Sequence, residues 1–261
     1  MILCYHGVSD RWPSDFALSP RRLERQLRHL LGRGYRPLTL GAALRERPYG
    51  RTLAVTFDDA LRSVLSEGEP VLSRLGVPAT VFVPTGYVTN REPVAWPGMD
   101  EWVGTAHESE LECLTWEELR GLRDLGWEIG SHTRSHPDLG TLDDDAVAAE
   151  MTESRRECER ELERSCELLA YPFSSYDRRV KELAKAGGYA AAVILDNRIP
   201  IPRRSVPLLP GSDPFELVRA GVYRHDGWGR FLAKTSPAVR RARSTRALQM
   251  AIRTEIDRVS N

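Results

Sequence analysis

Short apolar runs alternate with longer amphipathic segments along most of this chain. Continuous apolar runs bounded by turn residues are typical of buried strands, whereas apolar positions three and four residues apart are typical of helices. The predicted strands cover residues 2–5, 53–57, 79–83, 127–130, 168–171 and 189–195. Because such strands alternate with helices, the pattern predicts a parallel sheet covered on both faces.

The predicted helices begin at recognisable signals. Ser19 followed by Pro20 is a typical helix start, and Thr115 with Glu118 three residues later is the capping-box pattern. The helices are expected over residues 20–31, 40–47, 61–75, 116–125, 143–163 and 177–186. This alternation fits a closed barrel and an open doubly wound sheet equally well, and 261 residues suffice for one (β/α) barrel.

Two regions interrupt the alternation. Residues 87–114 are too long for a simple loop and carry Trp96 and Trp102, which favours a lid or a binding loop. Residues 228–261 carry eight Arg or Lys residues against Glu255 and Asp257. We interpret them as a basic helical tail that closes the barrel, with a surface for phosphate groups or membrane headgroups as the alternative. The predicted catalytic domain covers residues 1–227.

Composition and charge narrow the class of protein. Apolar residues make up 41% and the formal net charge is zero, so a sizeable core is expected without a general attraction to nucleic acid. Neither a membrane-spanning apolar stretch nor a secretory signal is visible, which predicts a cytoplasmic location. The four cysteines are too sparse to staple the chain, and none is expected to hold a metal.

Polar clusters follow four of the predicted strands. They are Tyr5-His6-Gly7, Asp58-Asp59, the run S-H-T-R-S-H at 131–136 and Pro172-Phe173-Ser174. Because the carboxyl ends of parallel strands meet at one face, these clusters are expected to converge.

The side chains in these clusters suit a divalent metal. If the chain turns helically there, His132 and His136 fall on one side, and Asp59 completes a three-ligand set with open positions. Two adjacent buried carboxylates would repel each other, and a metal on Asp59 relieves that repulsion, leaving Asp58 as a general base. Taken singly, an H-x3-H pair is a weak signal and an Asp pair can be a helix cap. Their joint position at strand ends favours the catalytic interpretation.

These motifs resemble those of the polysaccharide deacetylase family (NodB-homology domain, carbohydrate esterase family 4). T-F-D-D-A at 56–60 resembles T-F-D-D-G, the run at 131–136 matches H-[ST]-x-x-H, and Y-P-F-S at 171–174 resembles P-x-G. C-Y-H-G-V at 4–8 resembles the Y-H-x-V start of the branch that deacetylates poly-N-acetylglucosamine. The resemblance covers roughly residues 1–200 and implies a distorted (β/α) barrel in a single domain.

The resemblance also implies roles for individual residues. Asp58 would be the catalytic base and His6 the general acid, with His225 a weaker candidate. The metal, zinc or else cobalt, nickel or manganese, would be held by Asp59, His132 and His136. Oxyanion and substrate contacts would come from Tyr171, Pro172 and the backbone N–H of Phe173. Trp96 and Trp102 would either stack on a sugar face or pack inside the segment at 87–114.

Three positions depart from the family pattern. Ala60 and Ser174 stand where the motifs have glycine, and serine tolerates a positive φ poorly. Ala170 stands where many members have an arginine, so the group that orients Asp58 is left open.

The function that follows is hydrolysis of an N-acetyl or other N-acyl group on an amino sugar or glycoside. One alternative is a deformylase or deacetylase of a lipid-linked sugar, weakly associated with a membrane through the basic tail. Another is an inactive barrel that only binds sugars, which would require the loss of a ligand or the base, yet Asp58, Asp59, His132 and His136 are all present.

Overall fold

Parallel strands close into a seven-stranded barrel, with the site-bearing motifs at their carboxyl ends. The computed structural model describes residues 1–46, 51–195 and 213–236. Their strands are β1 (Ile2–Tyr5), β2 (Gly7–Val8), β3 (Ala17–Leu18), β4 (Arg36–Leu38), β5 (Thr52–Phe57), β6 (Ala79–Val83), β7 (Glu128–Ser131), β8 (Leu168–Ala170), β9 (Ala191–Leu195) and β10 (Leu217–Gly221).

The barrel closes where β5 pairs with β1. Neighbouring strands follow the order β1-β10-β9-β8-β7-β6-β5, and β5 then pairs back with β1. In the register, Cys4 lies beside Gly221 on one side and Thr56 on the other. β4 adds to the amino-terminal half of β5, and β2 pairs with β3. The prediction of a distorted (β/α) barrel is therefore confirmed.

Helices cover the outside of the barrel. They are α1 (Pro20–Gly32), α2 (Leu40–Glu46), α3 (Glu69–Leu75), α4 (Thr85–Asn90), α5 (Trp116–Asp124), α6 (Asp144–Leu162), α7 (Arg178–Ala186) and α8 (Trp228–Thr235). The predicted caps are present: the Ser19 side chain accepts from the backbone N–H of Arg22, and Thr115 and Glu118 form a capping box. None of the helices within the described ranges is long and apolar enough to cross a membrane.

The sequence predictions differ from the structure at several elements: β2, β3, β4 and α4 were not predicted, and two further differences bear on the site. A helix over 61–75 was predicted, but α3 begins only at Glu69, after a wider π-helical turn at Val64–Gly68. The reason is tertiary, because the N–H of Arg62 donates to the carbonyl of Glu112. Strand β10 was not predicted, because Arg219 interrupts its apolar run.

Every second residue of β1, β5 and β10 faces the barrel interior. At the amino-terminal ends these residues are apolar, and Ile2, Ala54 and Leu217 pack in one buried cluster. Two residues further along, the same face carries Cys4, Thr56 and Arg219, and after another two it carries His6 and Asp58. Because the strand pleat places every second residue inside, the interior is apolar at the amino-terminal end of the barrel and polar at its carboxyl end.

Phe82 of β6 closes the floor beneath these polar groups. Its ring is fully buried, and the guanidinium carbon of Arg219 lies 5.3 Å from its centroid. A Cβ at Gly130 of β7 would lie 2.7 Å from Cε1 of Phe82, so only glycine leaves room for this ring. The buried ring thereby excludes water from the part of the barrel below the polar side chains.

Residues 91–114, which we call the insert, pack through an apolar cluster that is separate from the main core. The cluster joins Trp96, Met99 and Leu111 of the insert to Trp12 and Leu61. The segment has two short 3-10 turns, at Asp100–Trp102 and Glu108–Leu111, and otherwise irregular backbone. Its role as a lid stays a prediction.

The predicted tail begins with α8, which packs on the barrel. Phe231 is fully buried in the main core, and Lys234 donates to the carbonyl of Gly221 and to Asp226. Residues 237–261 lie outside the described residues, and the prediction of a basic helix there stays untested.

Candidate active site

Three predicted ligands come together at the carboxyl end of the barrel. Nε2 of His132 lies 3.5 Å and Nε2 of His136 lies 3.7 Å from Oδ1 of Asp59. One ligand atom from each of the three residues lies within 4.8 Å of the others, and all three side chains are buried. The convergence predicted from the strand ends is thus present in the structure.

The local backbone that achieves this is not the expected helical turn. Thr133 and His136 have positive φ values of 64° and 59°, and Asp59 and Ala60 have values of 68° and 49°. Left-handed non-glycine residues cost free energy and cluster at functional sites. Each sharp bend turns the chain back toward the barrel axis directly after a strand, which brings His132, His136 and Asp59 to a common point.

A hydrogen bond fixes the orientation of His132. Its Nδ1 lies 2.8 Å from the carbonyl oxygen of Ala170, which can only accept, so Nδ1 carries the proton and Nε2 keeps its lone pair. Burial lowers the pKa of His132 and, more strongly, that of His136. Both rings are therefore held in the neutral form that can bind a metal.

The Asp59 carboxylate needs a positive partner. Its Oδ1 is buried and has no hydrogen-bond partner among the described residues. Burial, and then the charge of Asp58, raise the pKa of Asp59 well above its ordinary value. Bonds of about 2.1 Å at tetrahedral angles place two zinc ligands about 3.4 Å apart, which is close to the separations found here. The donor set therefore fits a divalent ion such as zinc.

Asp58 is held by Arg219, a residue that the sequence analysis missed. Nη1 of Arg219 donates to Oδ1 of Asp58 and Nη2 donates to Oδ2, each at 2.6 Å. Burial alone would raise the pKa of Asp58, but the charge and hydrogen bonds of Arg219, together with His132 and His6, outweigh it and hold that pKa well below its ordinary value. A single arginine inside the apolar run 217–221 was the signal that could have identified it.

A second group of possible ligands, Cys4, His6 and Asp58, also lies within 4.8 Å. Sγ of Cys4 donates to Oδ2 of Asp58 at 3.4 Å, and burial raises the pKa of this thiol. The Arg219 guanidinium already neutralises Asp58 and would repel a cation. We therefore interpret Cys4 as a hydrogen-bond donor to Asp58, and the expectation that no cysteine holds a metal stays a prediction.

His6 lies in an aromatic pocket next to Asp58. Its ring centroid is 4.9 Å from that of Phe16 and 6.4 Å from that of Tyr223, with which it is stacked. Burial lowers the pKa of His6 to about 4, against the opposing charge of Asp58. Nδ1 of His6 is buried and has no hydrogen-bond partner in the described parts of the chain.

The other predicted contact residues occupy different surroundings. Phe173 has a left-handed backbone and is 45% exposed at the mouth, with its ring centroid 4.7 Å from that of His136. Pro172 is buried beside it, and Tyr171 is only 1% exposed in the main core, which keeps its ring away from the surface. His225, the weaker candidate for the general acid, is exposed and pairs with Asp15 at 3.1 Å.

Both tryptophans of the insert pack against protein rings. Trp96 is 8% exposed and stacks on His136, with ring centroids 3.8 Å apart. Trp102 lies edge-on to Trp12 at 6.0 Å. Sugar stacking by either ring stays a prediction, and the packing alternative describes the contacts that the structure contains.

Residues 45–192 match the model of a known family, described as polysaccharide deacetylase. The chain belongs to the polysaccharide deacetylase family. The match contains Asp58, Asp59, His132, His136 and Phe173, whereas His6 and Arg219 lie outside it. His6, after β1, and Arg219, on β10, therefore lie near Asp58 but on either side of the matched region along the chain of this family member.

Individual relatives are distant but extend over most of the chain. YxkH of Bacillus subtilis (strain 168) is 24% identical over 197 residues, which is 74% of this chain and 63% of YxkH. The poly-beta-1,6-N-acetyl-D-glucosamine N-deacetylase of Staphylococcus aureus (strain MRSA252) is 21% identical over 241 residues, 86% of this chain and 77% of that protein. This chain thus spans less than two thirds of the length of YxkH.

The fold of this family member is shared with a solved deacetylase. Streptococcus pyogenes PplD, in complex with acetate, superposes with a TM-score of 0.73 and 21% identity, covering 90% of this chain and 97% of PplD. At this identity the likeness is one of fold.

Proposed function

We propose that this protein is a metal-dependent hydrolase that removes an N-acetyl, or another N-acyl, group from an amino sugar in an oligosaccharide or glycoside. Membership of the polysaccharide deacetylase family supports deacetylation as the reaction class. The proposal depends on one observation, that a set of possible metal ligands and a candidate base lie side by side in one pocket. A three-residue metal set, Asp59, His132 and His136, lies beside an oriented carboxylate, Asp58.

The metal set suits a hard or borderline divalent ion. Two neutral imidazoles and one carboxylate are a typical zinc donor set, and cobalt, nickel or manganese are the alternatives. When bound, the ion supplies Lewis acidity toward the acyl carbonyl and the attacking water. Asp59, His132 and His136 would hold it, and its charge would offset the burial and the repulsion from Asp58 that together raise the pKa of Asp59.

Asp58 and His6 would move the protons. Asp58, kept ionised by Arg219, accepts a proton from the attacking water. The leaving nitrogen needs a proton, and His6 is neutral before the reaction because burial lowers its pKa to about 4. Since His6 and Asp58 approach within 4.8 Å, we infer that His6 passes on a proton released at Asp58. Tyr223 and Phe16 hold its ring in place.

The turn at Pro172–Ser174 would complete the acyl site. The N–H of Phe173 is the oxyanion donor in this proposal, and its exposed ring forms one wall of the mouth. Ser174, also left-handed, accepts from the N–H of Leu195 through its hydroxyl, which anchors the turn to β9. The acyl group would therefore lie between Phe173 and the metal set.

An N-acetylglucosamine oligomer is the first substrate to test. One relative is named as a poly-beta-1,6-N-acetyl-D-glucosamine N-deacetylase, and that name supports the choice. A lipid-linked sugar at a membrane is the alternative that the basic residues at 228–261 favour, and a cytoplasmic location stays a prediction. Pelleting with anionic vesicles, before and after deletion of residues 237–261, separates the two substrate classes.

The proposal is tested by metal content and acetate release measured on the same samples. The substrates are acetylated chitooligosaccharides, poly-beta-1,6-N-acetylglucosamine oligomers and N-acetylglucosamine glycosides. Asp59→Ala and His132→Ala should lose both metal and activity, whereas Asp58→Asn should keep the metal and lose activity. Full turnover by Asp58→Asn would show that Asp58 is not the general base. Sugar binding without acetate release from any substrate would favour the inactive barrel.

A further inference from the structure

We propose that the insert is a support for the metal ligands, in which Trp96 is the positioning residue that sets the plane of the His136 imidazole. This inference rests on the metal site proposed above. The ring of Trp96 lies almost parallel to that of His136, with centroids 3.8 Å apart and an interplanar angle of 19°.

Three rings together define the orientation of His136. In addition to the Trp96 face, His132 lies edge-on at 4.6 Å and 87°, and Phe173 lies edge-on at 4.7 Å and 73°. An imidazole donates to a metal through a lone pair that lies in the plane of its ring. The aromatic contacts that fix this plane therefore also fix the direction in which Nε2 points.

At His136, stacking on Trp96 takes the place of the hydrogen bond that usually orients a metal-binding imidazole. A metal-binding histidine normally donates its other ring N–H to a carbonyl or carboxylate. His132 follows that rule through Ala170, whereas Nδ1 of His136 is buried and finds an acceptor on no other described residue, with only its own backbone in reach. The two histidines of one motif are thus positioned by different means, one by a hydrogen bond and the other by an aromatic face.

Trp96 is itself held firmly enough to act in this way. It is 8% exposed, Tyr87 meets it edge-on at 5.1 Å, and its carbonyl accepts from the N–H groups of Met99 and Asp100. An electron-rich indole face also stabilises an imidazole that becomes more positive on binding a cation. The stack should therefore tighten metal binding as well as orient the ligand.

The far end of the insert supports a second ligand. Sγ of Cys113 donates to the carbonyl of Asp59 at 3.3 Å, and the N–H of Leu114 donates to the carbonyl of Ala60 at 2.8 Å. These bonds hold the left-handed bend at Asp59 and Ala60. The insert thereby supports two ligands, because Cys113 and Leu114 hold the bend at Asp59 and Trp96 holds the ring of His136.

Zinc affinity of the full chain, measured by competition with a chromophoric chelator, tests the inference. Trp96→Leu fills apolar space without an aromatic face and should weaken Zn²⁺ binding by about tenfold or more. Trp96→Phe keeps a face and should stay within about threefold of the wild type. Trp102→Leu removes a tryptophan from the same insert that lies against Trp12, away from the ligands, and is the matched control. With Co²⁺, only Trp96→Leu should shift the visible absorption band.

Other outcomes would overturn the inference. The inference is wrong if Trp96→Leu keeps the zinc affinity of the wild type. It is also wrong if Trp102→Leu weakens zinc binding as much as Trp96→Leu does, or if Trp96→Phe binds zinc as weakly as Trp96→Leu. If Trp96→Leu does not fold, Trp96→Met takes its place with the same expected result. A wild-type chain that binds neither Zn²⁺ nor Co²⁺ is a different failure, since it removes the metal site and not only its support.

Discussion

Arg219 of β10 donates from both terminal nitrogens to both carboxylate oxygens of Asp58, at 2.6 Å each, and both side chains are almost completely buried. The pair spans two strand boundaries, with Cys4 of β1 between them. The guanidinium that the family resemblance led us to expect at position 170, where this chain has Ala170, thus comes from a different strand. The open question of what orients Asp58 is answered by this contact.

Removing Arg219 should damage stability as well as catalysis. Arg219→Ala leaves the Asp58 charge buried and unpaired, which costs about 3–5 kcal/mol of the free energy of unfolding. Urea unfolding of the metal-free chain measures this loss. Arg28→Ala, which breaks an exposed i,i+4 pair with Glu24, is the control and should cost less than about 1 kcal/mol. Similar losses in the two variants would contradict the importance of the buried pair.

An arginine at position 170, as in the family motif, should be able to replace Arg219 in orienting Asp58. In an Arg219→Ala background, Ala170→Arg should recover part of the lost deacetylation, because the vacated space beside Asp58 can accept a guanidinium. Ala170→Arg alone should lower activity, since Ala170 is fully buried and the space is already filled. The measurement is kcat/KM for the four variants on one substrate. No recovery in the double variant would show that only β10 offers the required geometry.

His6 should titrate far below an ordinary histidine. Burial lowers its pKa to about 4 in the folded chain, whereas an unfolded chain has a value of about 6.5. Between these values the unfolded state binds more protons, so this group's contribution to stability is present above pH 6.5 and is lost as the pH falls toward 4. NMR titration of His6 in the metal-free protein, folded and in urea, measures both midpoints. A folded midpoint near 6.5 would contradict the closed aromatic pocket.

Ser174 should carry backbone strain that glycine relieves. Its φ is 52°, and its hydroxyl accepts from the N–H of Leu195. Ser174→Ala loses only the hydroxyl, whereas Ser174→Gly loses the hydroxyl and relieves the left-handed backbone. Ser174→Gly should therefore be more stable than Ser174→Ala by about 1 kcal/mol, as measured by thermal unfolding. Equal stability of the two variants would mean that the turn holds no strain.

Local sequence was sufficient for the strands and helices that have strong signals. Residues 2–5 and 79–83 are strands at the predicted positions, and the caps at Ser19 and Thr115 formed as expected. It failed at residues 61–68, where backbone bonding to the insert competes with helix formation. Alternation of strands and helices could not by itself distinguish a barrel from an open sheet, because closure depends on the pairing of β1 with β5.

The sequence by itself determined the candidate site residues, because residue types at strand ends and the order of the motifs are local properties of the chain. Asp58, Asp59, His132 and His136 were recognisable on that basis, and the structure brings all four together. Only the tertiary structure decided which side chains position them. Arg219 reaches Asp58 across the intervening strand β1, and Trp96 reaches His136 from an irregular segment. Such contacts depend on barrel closure and on packing between distant parts of the chain, which no spacing rule in the sequence encodes.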